Sequence, residues 1–183
     1  MKRNNLDLSV LGGMLQNAKR DPAALKLQKR VEGTWSFVEG SPGYSATLAH
    51  GDRKSVLDAD VARPFGGAGL APDPMQYMLF GLGACYAATL VTVASLEGVD
   101  LAELKVVAES RVDVSHVFGI AEKPLMEQVS VTVKVKTAVD DATLVRWQQT
   151  AREKCPFAFT IANAVPLITR VERLSSHPRE IAT

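Results

Sequence analysis

The chain has 183 residues, 46% of them apolar and 22% charged, with 21 Lys and Arg against 20 Asp and Glu. That size and composition predict one compact domain with an adequate core and exclude a disordered chain. A formal net charge of +1 offers no field for steering nucleic acid or an anionic surface, so neither nucleic acid nor membrane is expected as a partner.

Residues 5–29 read as one or two short amphipathic helices, broken at "RDPAA", where Asp21 can cap and Pro22 can start a turn. The segment 1–30 is therefore taken as a helical extension and 31–183 as the main domain. The first residues lack a continuous apolar stretch, which excludes a secretory signal and makes the cytoplasm the expected location. From Val31 onward, "GTWSFVEG", "YSATLAH" and "KSVLDAD" form a meander of short antiparallel strands separated by Gly, Pro and Asp turns. "RPFGGAGLAPDP" then follows. It carries no Gly-Lys-Ser/Thr and is an ordered connector rather than a phosphate loop.

Asp73, Pro74 and Gln76 compose a helix start, with a capping side chain, a proline at the first position and a capping-box partner. The helix can run to Gly98. Two strands are expected in "LKVVAESRVDV" and "MEQVSVTVKVKT", the second placing Val129, Val131, Val133 and Val135 on one face. Asp140 or Asp141 caps a helix through Lys154, Pro156 opens a shorter one in "PFAFTIANA", and "PLITRVERL" reads as a last strand. The order of strands, helix, strands, helices and strand predicts an α+β fold.

From Met75 to Ser95 there is no charged residue, a length that matches a membrane span. Gly81, Gly83, Thr89, Thr92 and Ser95 dilute its hydrophobicity, and the flanks carry acids rather than a Lys/Arg bias. A helix apolar on every face must still be buried all round. One small sheet covers one side, so a homodimer with two such helices at its centre is expected.

Cys85 and Cys155 are 69 residues apart and form no Cys-x-x-Cys, and His50, His116 and His177 are scattered, so no disulfide scaffold, zinc site or other cofactor is expected. A lone cysteine in an apolar helix is ordinarily a small core residue. Cys155 follows Arg152 and Lys154 and precedes a helix start, which marks it as the more acidic thiol. Cys85 has no charged neighbour in sequence and needs a cation from elsewhere in the fold.

"LDADVARPFGGAGLAPDPMQYMLFGLGACYAATL", followed by "REKCPFAFT", resembles the OsmC/Ohr family of osmotically induced and organic hydroperoxide resistance proteins, over residues 31–174. The resemblance implies an intertwined homodimer with antiparallel sheets wrapped around two central helices. It also implies that Cys85 is the peroxidatic cysteine and Cys155 the resolving one, reversing the ranking by local sequence. In the family the activating cation is an arginine from the loop before the central helix, contributed across the dimer; the resemblance implies Arg63 for that position, and Arg53 fits less well. Met75, Met78, Phe80, Phe157 and Phe159 are candidates for an apolar pocket, although for each a place in the core is the commoner role.

Family members place a glutamate in the first turn of the central helix, where it holds the arginine. Here that turn is Asp73-Pro74-Met75-Gln76. The implied function is a thiol peroxidase for organic hydroperoxides, regenerated by a lipoyl-type or small dithiol. The alternative is a non-enzymatic protein holding a lipophilic small molecule in the dimer cleft.

Overall fold

The computed structural model describes residues 1–174, and His177 lies outside them. A short hairpin opens the chain, β1 (Lys2–Arg3) with β2 (Leu6–Asp7), turning through Asn4 and Asn5 at positive φ. Helix α1 (Leu8–Arg20) follows, capped by Asp7, and then a 3-10 turn, Pro22–Leu25, capped by Asp21. The meander is β3 (Gly33–Trp35), β4 (Tyr44–His50) and β5 (Arg53–Ala59), an antiparallel sheet in that order.

The central helix, α2 (Pro74–Leu96), starts where its local signals place it. The Asp73 carboxylate accepts from the Met75 and Gln76 amides at 2.8 and 3.0 Å, and the Asp73 amide donates back to Gln76 Oε1 at 3.0 Å. The helix ends at Leu96 with Glu97 as its cap, and Gly98 just beyond has a φ of 77°, one that other residues adopt only with strain. Strands β6 (Glu103–Val112) and β7 (Met126–Lys136) pair antiparallel, with the four valines of β7 on the more covered face. Helix α3 (Asp141–Lys154), capped by Asp140, leads through Cys155 into α4 (Pro156–Ala162).

The core forms where α2 and α3 pack together over the β6–β7 pair. Leu90, Ala94, Trp147, Ala151 and Cys155 are almost or fully buried there. Each large apolar side chain so buried stabilises the fold by about 1.5–3 kcal/mol. On α2 the buried residues Leu82, Tyr86, Leu90 and Ala94 recur every four positions. The stripe Gln76, Phe80, Ala84 and Ala88 also recurs every four, two residues out of step, and is exposed. Two steps amount to about 200° of rotation, so these are opposite faces. The helix is apolar on both, and this chain covers one.

Two expectations change. The N-terminal extension is more than helix, because its hairpin turn plugs the far end of α2. Asn4 Nδ2 donates to Ser95 Oγ and to the Val99 carbonyl, and Asn4 Oδ1 accepts from the Leu101 amide, each at 2.9 Å. Arg3 adds an ion pair to Asp100 at 3.3 Å. The expected last strand, "PLITRVERL", is not a strand. Residues 163–174 carry no helix or strand and are exposed: they pair with none of the three sheets, and without a ladder partner an extended run is not a strand.

Candidate functional site

Cys85 sits midway along α2, on the flank between its buried and exposed stripes. Cys155 ends α3 and begins α4; its amide donates to the Ala151 carbonyl at 2.9 Å, and its carbonyl accepts from Phe159 at 2.9 Å. The packing of α2 against α3 and α4 brings the two thiols together, close enough to act on each other. Neither is in a disulfide. They differ in access: Cys155 is fully buried, whereas Cys85 is half-buried.

Burial pushes the Cys85 thiol up from its ordinary range, and contact with Cys155 adds to the rise. The backbone amide of Phe157, in the first turn of α4, works the other way. Among the described residues, none of the groups acting on the Cys85 sulfur is a cation. Gly81 makes the approach of α4 possible: a Cβ there would meet the Phe157 ring at 3.1 Å. Gly81 lies one helical turn before Cys85, so the ring walls one side of the thiol's stretch of helix. Tyr86 is buried behind the pair, and its hydroxyl donates to the Gln148 carbonyl at 2.9 Å. Burial, and then Cys155, raise its phenol above the usual range.

The other residues singled out in the sequence divide between this site and elsewhere. Met75 and Met78 are half-buried on α2; by helix geometry Met78 lies about 20° and Met75 about 80° around the axis from Cys85. Phe159 is exposed on α4. Phe80 is about 140° from Cys85 and 73% exposed. It lines a different groove, of about 590 Å³, with Gly83, Ala84, Ala87, Leu104 and Val106.

Arg63 is not beside Cys85 within the chain. It opens a 3-10 turn (Arg63–Phe65), and its Nε donates to the Ala68 carbonyl at 3.1 Å within its own loop. Arg53 lies at the β4–β5 turn, opposite His50.

Asp60, which the sequence reading passed over, organises the Arg63 loop. Its buried carboxylate accepts from the amides of Leu70 at 2.9 Å, Val61 at 2.9 Å and Gly43 at 3.3 Å. The Leu70 bond above all holds it below the usual carboxylate range, against the opposing effect of burial. Tyr77 ties the start of α2 to the same region, donating to the Asp58 carbonyl at 2.6 Å. The loop is thus held at both ends.

Residues 66–170, more than half of the chain and including α2, both cysteines and the β6–β7 pair, match the family model described as OsmC-like protein. The chain belongs to the OsmC-like family. No curated protein matches the sequence. Solved structures share its fold. An OsmC like protein from Mycoplasma pneumoniae is 16% identical, with a TM-score of 0.55, over 75% of this chain and 91% of that one. An organic hydroperoxide resistance protein OsmC from Legionella pneumophila is 19% identical, with a TM-score of 0.53, over 74% and 91%. An organic hydroperoxide resistance protein from Vibrio cholerae, with captopril bound in one of the active sites, is 20% identical, with a TM-score of 0.51, over 76% and 89%. These likenesses concern the α+β fold. Residues 1–65 of this OsmC-like chain, with the hairpin, α1 and the β3–β5 meander, lie outside the family match.

Proposed function

We propose that the chain is a cysteine-based thiol peroxidase that reduces organic hydroperoxides, with Cys85 attacking, Cys155 resolving and Arg63 activating. The observation that carries the reading is the pairing of a reachable thiol with a buried one where α2, α3 and α4 meet. A peroxide must approach the attacking sulfur from outside, whereas a resolving thiol needs only to meet its neighbour. The unequal burial of Cys85 and Cys155 suits that division.

The Cys85 thiolate attacks the distal peroxide oxygen; an S–O bond forms, the O–O bond breaks, and the alkoxide leaves and takes up a proton as the alcohol. The Cys155 thiol displaces water from the resulting sulfenic acid and forms a disulfide. A lipoyl-type or small dithiol then exchanges with that disulfide and leaves as its own oxidised form. Turnover of cumene hydroperoxide with dihydrolipoamide or dithiothreitol, abolished in Cys85→Ala, is the expected result. Absence of turnover with either reductant overturns the reading. A lipophilic molecule retained in native mass spectrometry would then favour the binding-protein alternative.

The reading includes a homodimer. The uncovered stripe of α2, with the small residues Gly83, Ala84 and Ala87 beside it, suits close packing of a second α2. The same copy can cover Trp35, Phe37 and Val56 on the meander and the extended residues 163–174. Sedimentation at micromolar concentration should give a dimer with no folded monomer, because separation re-exposes the second face of α2. A stable folded monomer would remove the dimer from the proposal.

Arg63 then acts on Cys85 from across the dimer and supplies the cation that the thiol lacks within its own chain. The position for its missing carboxylate partner follows from the helix start. Gln76 is engaged in the capping box, while Met75 is half-buried and ten residues before Cys85. Met75→Glu should anchor Arg63 and raise the rate of peroxide reaction. A charge-assisted pair contributes about 1.5–3 kcal/mol, and a third of that changes a rate about twofold to fivefold. The gain should disappear in the Met75→Glu, Arg63→Ala double variant. An unchanged rate in folded Met75→Glu would remove Arg63 from the site.

A further inference from the structure

The near-neutral charge of the whole chain conceals a division between its two parts. Residues 1–30 hold seven of the 21 Lys and Arg but two of the 20 Asp and Glu, a net +5, which leaves −4 for the rest. Both acids of the segment are already engaged. Asp7 accepts from the Ser9 and Val10 amides at the start of α1, and Asp21 accepts from the Ala23 amide at the start of the following turn.

Helix α1 is segregated around its axis. At 100° per residue, Val10, Met14, Ala18, Leu11, Leu15 and Leu8 fall in that order within an arc of about 160°. The remaining arc holds Ser9, Gly12, Gly13, Gln16, Asn17, Lys19 and Arg20. No residue of α1 is buried, and Val10, Met14 and Leu15 are exposed on the apolar arc. The chain that continues from it adds exposed Leu25 and Leu27 among Lys26, Lys29 and Arg30, of which Arg30 is paired with Glu32 and Lys26 and Lys29 form no ion pair among the described residues. The hairpin before α1 is fixed to the body through Asn4, so the helix is held beside the body by its first residues.

We propose that α1 and residues 21–30 form a docking surface for an anionic lipid membrane. An apolar arc beside a cluster of cations, with no free carboxylate, matches such a surface in both respects: acyl chains take Val10, Met14 and Leu15, and acidic headgroups take the cations. Arg3 and Arg30 are paired with Asp100 and Glu32, which leaves Lys19, Arg20, Lys26 and Lys29 of this surface for headgroups. Each Lys or Arg near an anionic surface strengthens binding by about fivefold, enough for reversible association from a short helix. Nucleic acid would use the cations alone and leave the apolar arc idle. The proposal is independent of thiol chemistry and stands whether or not Cys85 reacts with peroxide.

The test is co-sedimentation of the full chain with vesicles of phosphatidylcholine alone or with 30% phosphatidylglycerol. Binding should require phosphatidylglycerol and fall at least tenfold in 0.5 M NaCl. It should also fall at least tenfold in Met14→Gln/Leu15→Gln and in Lys19→Gln/Arg20→Gln. These positions are exposed, so the variants should keep the wild-type near-ultraviolet circular dichroism of the folded core. No binding to acidic vesicles overturns the proposal, and so does binding that the Met14/Leu15 variant retains in full. A change of oligomeric state in that variant, without vesicle binding by the wild type, would assign the helix to a second copy of the chain and equally overturn it.

Discussion

Reduced protein given one equivalent of an organic hydroperoxide should lose two hydrogens, about 2 Da, as Cys85 and Cys155 close a disulfide within one chain. Cys155→Ser should instead gain one oxygen, about 16 Da, held on Cys85 as a sulfenic acid that a dimedone-type probe traps. Cys85→Ser should consume peroxide slower than wild type by on the order of 10³-fold or more, the scale of losing a nucleophile. The direction of each change follows from burial. Cys85 is the thiol that solvent reaches, and Cys155, fully buried, is protected until its neighbour has reacted. Burial raises the Cys85 thiol, and among the described residues no cation acts on it, which is the part proposed for Arg63 across the dimer. If Arg63 has that part, Arg63→Ala should move the rise of rate with pH to more alkaline values. If Cys85 stays a free thiol under peroxide while other residues oxidise, it is a core cysteine and the peroxidase reading fails.

The parts of the fold legible in the sequence are those whose causes are local. The start of α2 needs three residues within one turn, Asp73, Pro74 and Gln76, and the structure has their reciprocal bonds. The alternation of β7 is likewise written in consecutive residues. Strand formation at 166–174 depends on a free sheet edge, which no run of nine residues specifies, and the segment is irregular in the chain. Asp60 escaped notice because its partners are backbone amides at positions 43, 61 and 70, and amides carry no sequence signature. The two cysteines show the same limit. Neighbouring Arg152 and Lys154 mark Cys155 as the acidic thiol, yet both side chains are exposed while Cys155 is buried. Which thiol solvent can reach is a property of packing, and no local motif carries it. Charge was obscured for another reason. A sum over the whole chain cancels the excess of residues 1–30 against the deficit of the body, while solvent and surfaces respond to each locally.

A pH-dependent effect on stability should come from Glu97, which joins the end of α2 to α3. Its carboxylate accepts from Arg146 Nη1 at 2.5 Å, from Arg146 Nη2 at 2.8 Å, and from Trp147 Nε1 at 2.8 Å. Trp147 is fully buried, and this bond satisfies its indole N–H. The Arg146 bonds foremost, then that of Trp147, hold the Glu97 carboxyl at about 2. A carboxyl depressed in the folded state stabilises it fully above its unfolded value, about 4.3. That contribution is lost as pH falls from there through about 2. The side chain is 33% exposed, so solvent screens the pair, and its contribution is about 1–2 kcal/mol rather than the full equivalent of the shift. Glu97→Gln should therefore be less stable than wild type by about 1–2 kcal/mol at pH 7, lowering Tm by about 2–8 °C. The gap should narrow at pH 4 and again at pH 3, as the wild-type carboxylate is protonated on unfolding. Glu97→Ala should lose about 1–3 kcal/mol more, because it leaves the Trp147 N–H unpaired in the core. Urea midpoints at one fixed protein concentration, across these pH values, measure all three. A Glu97→Gln gap as large at pH 3 as at pH 7 would show that charge at Glu97 does not hold α2 to α3.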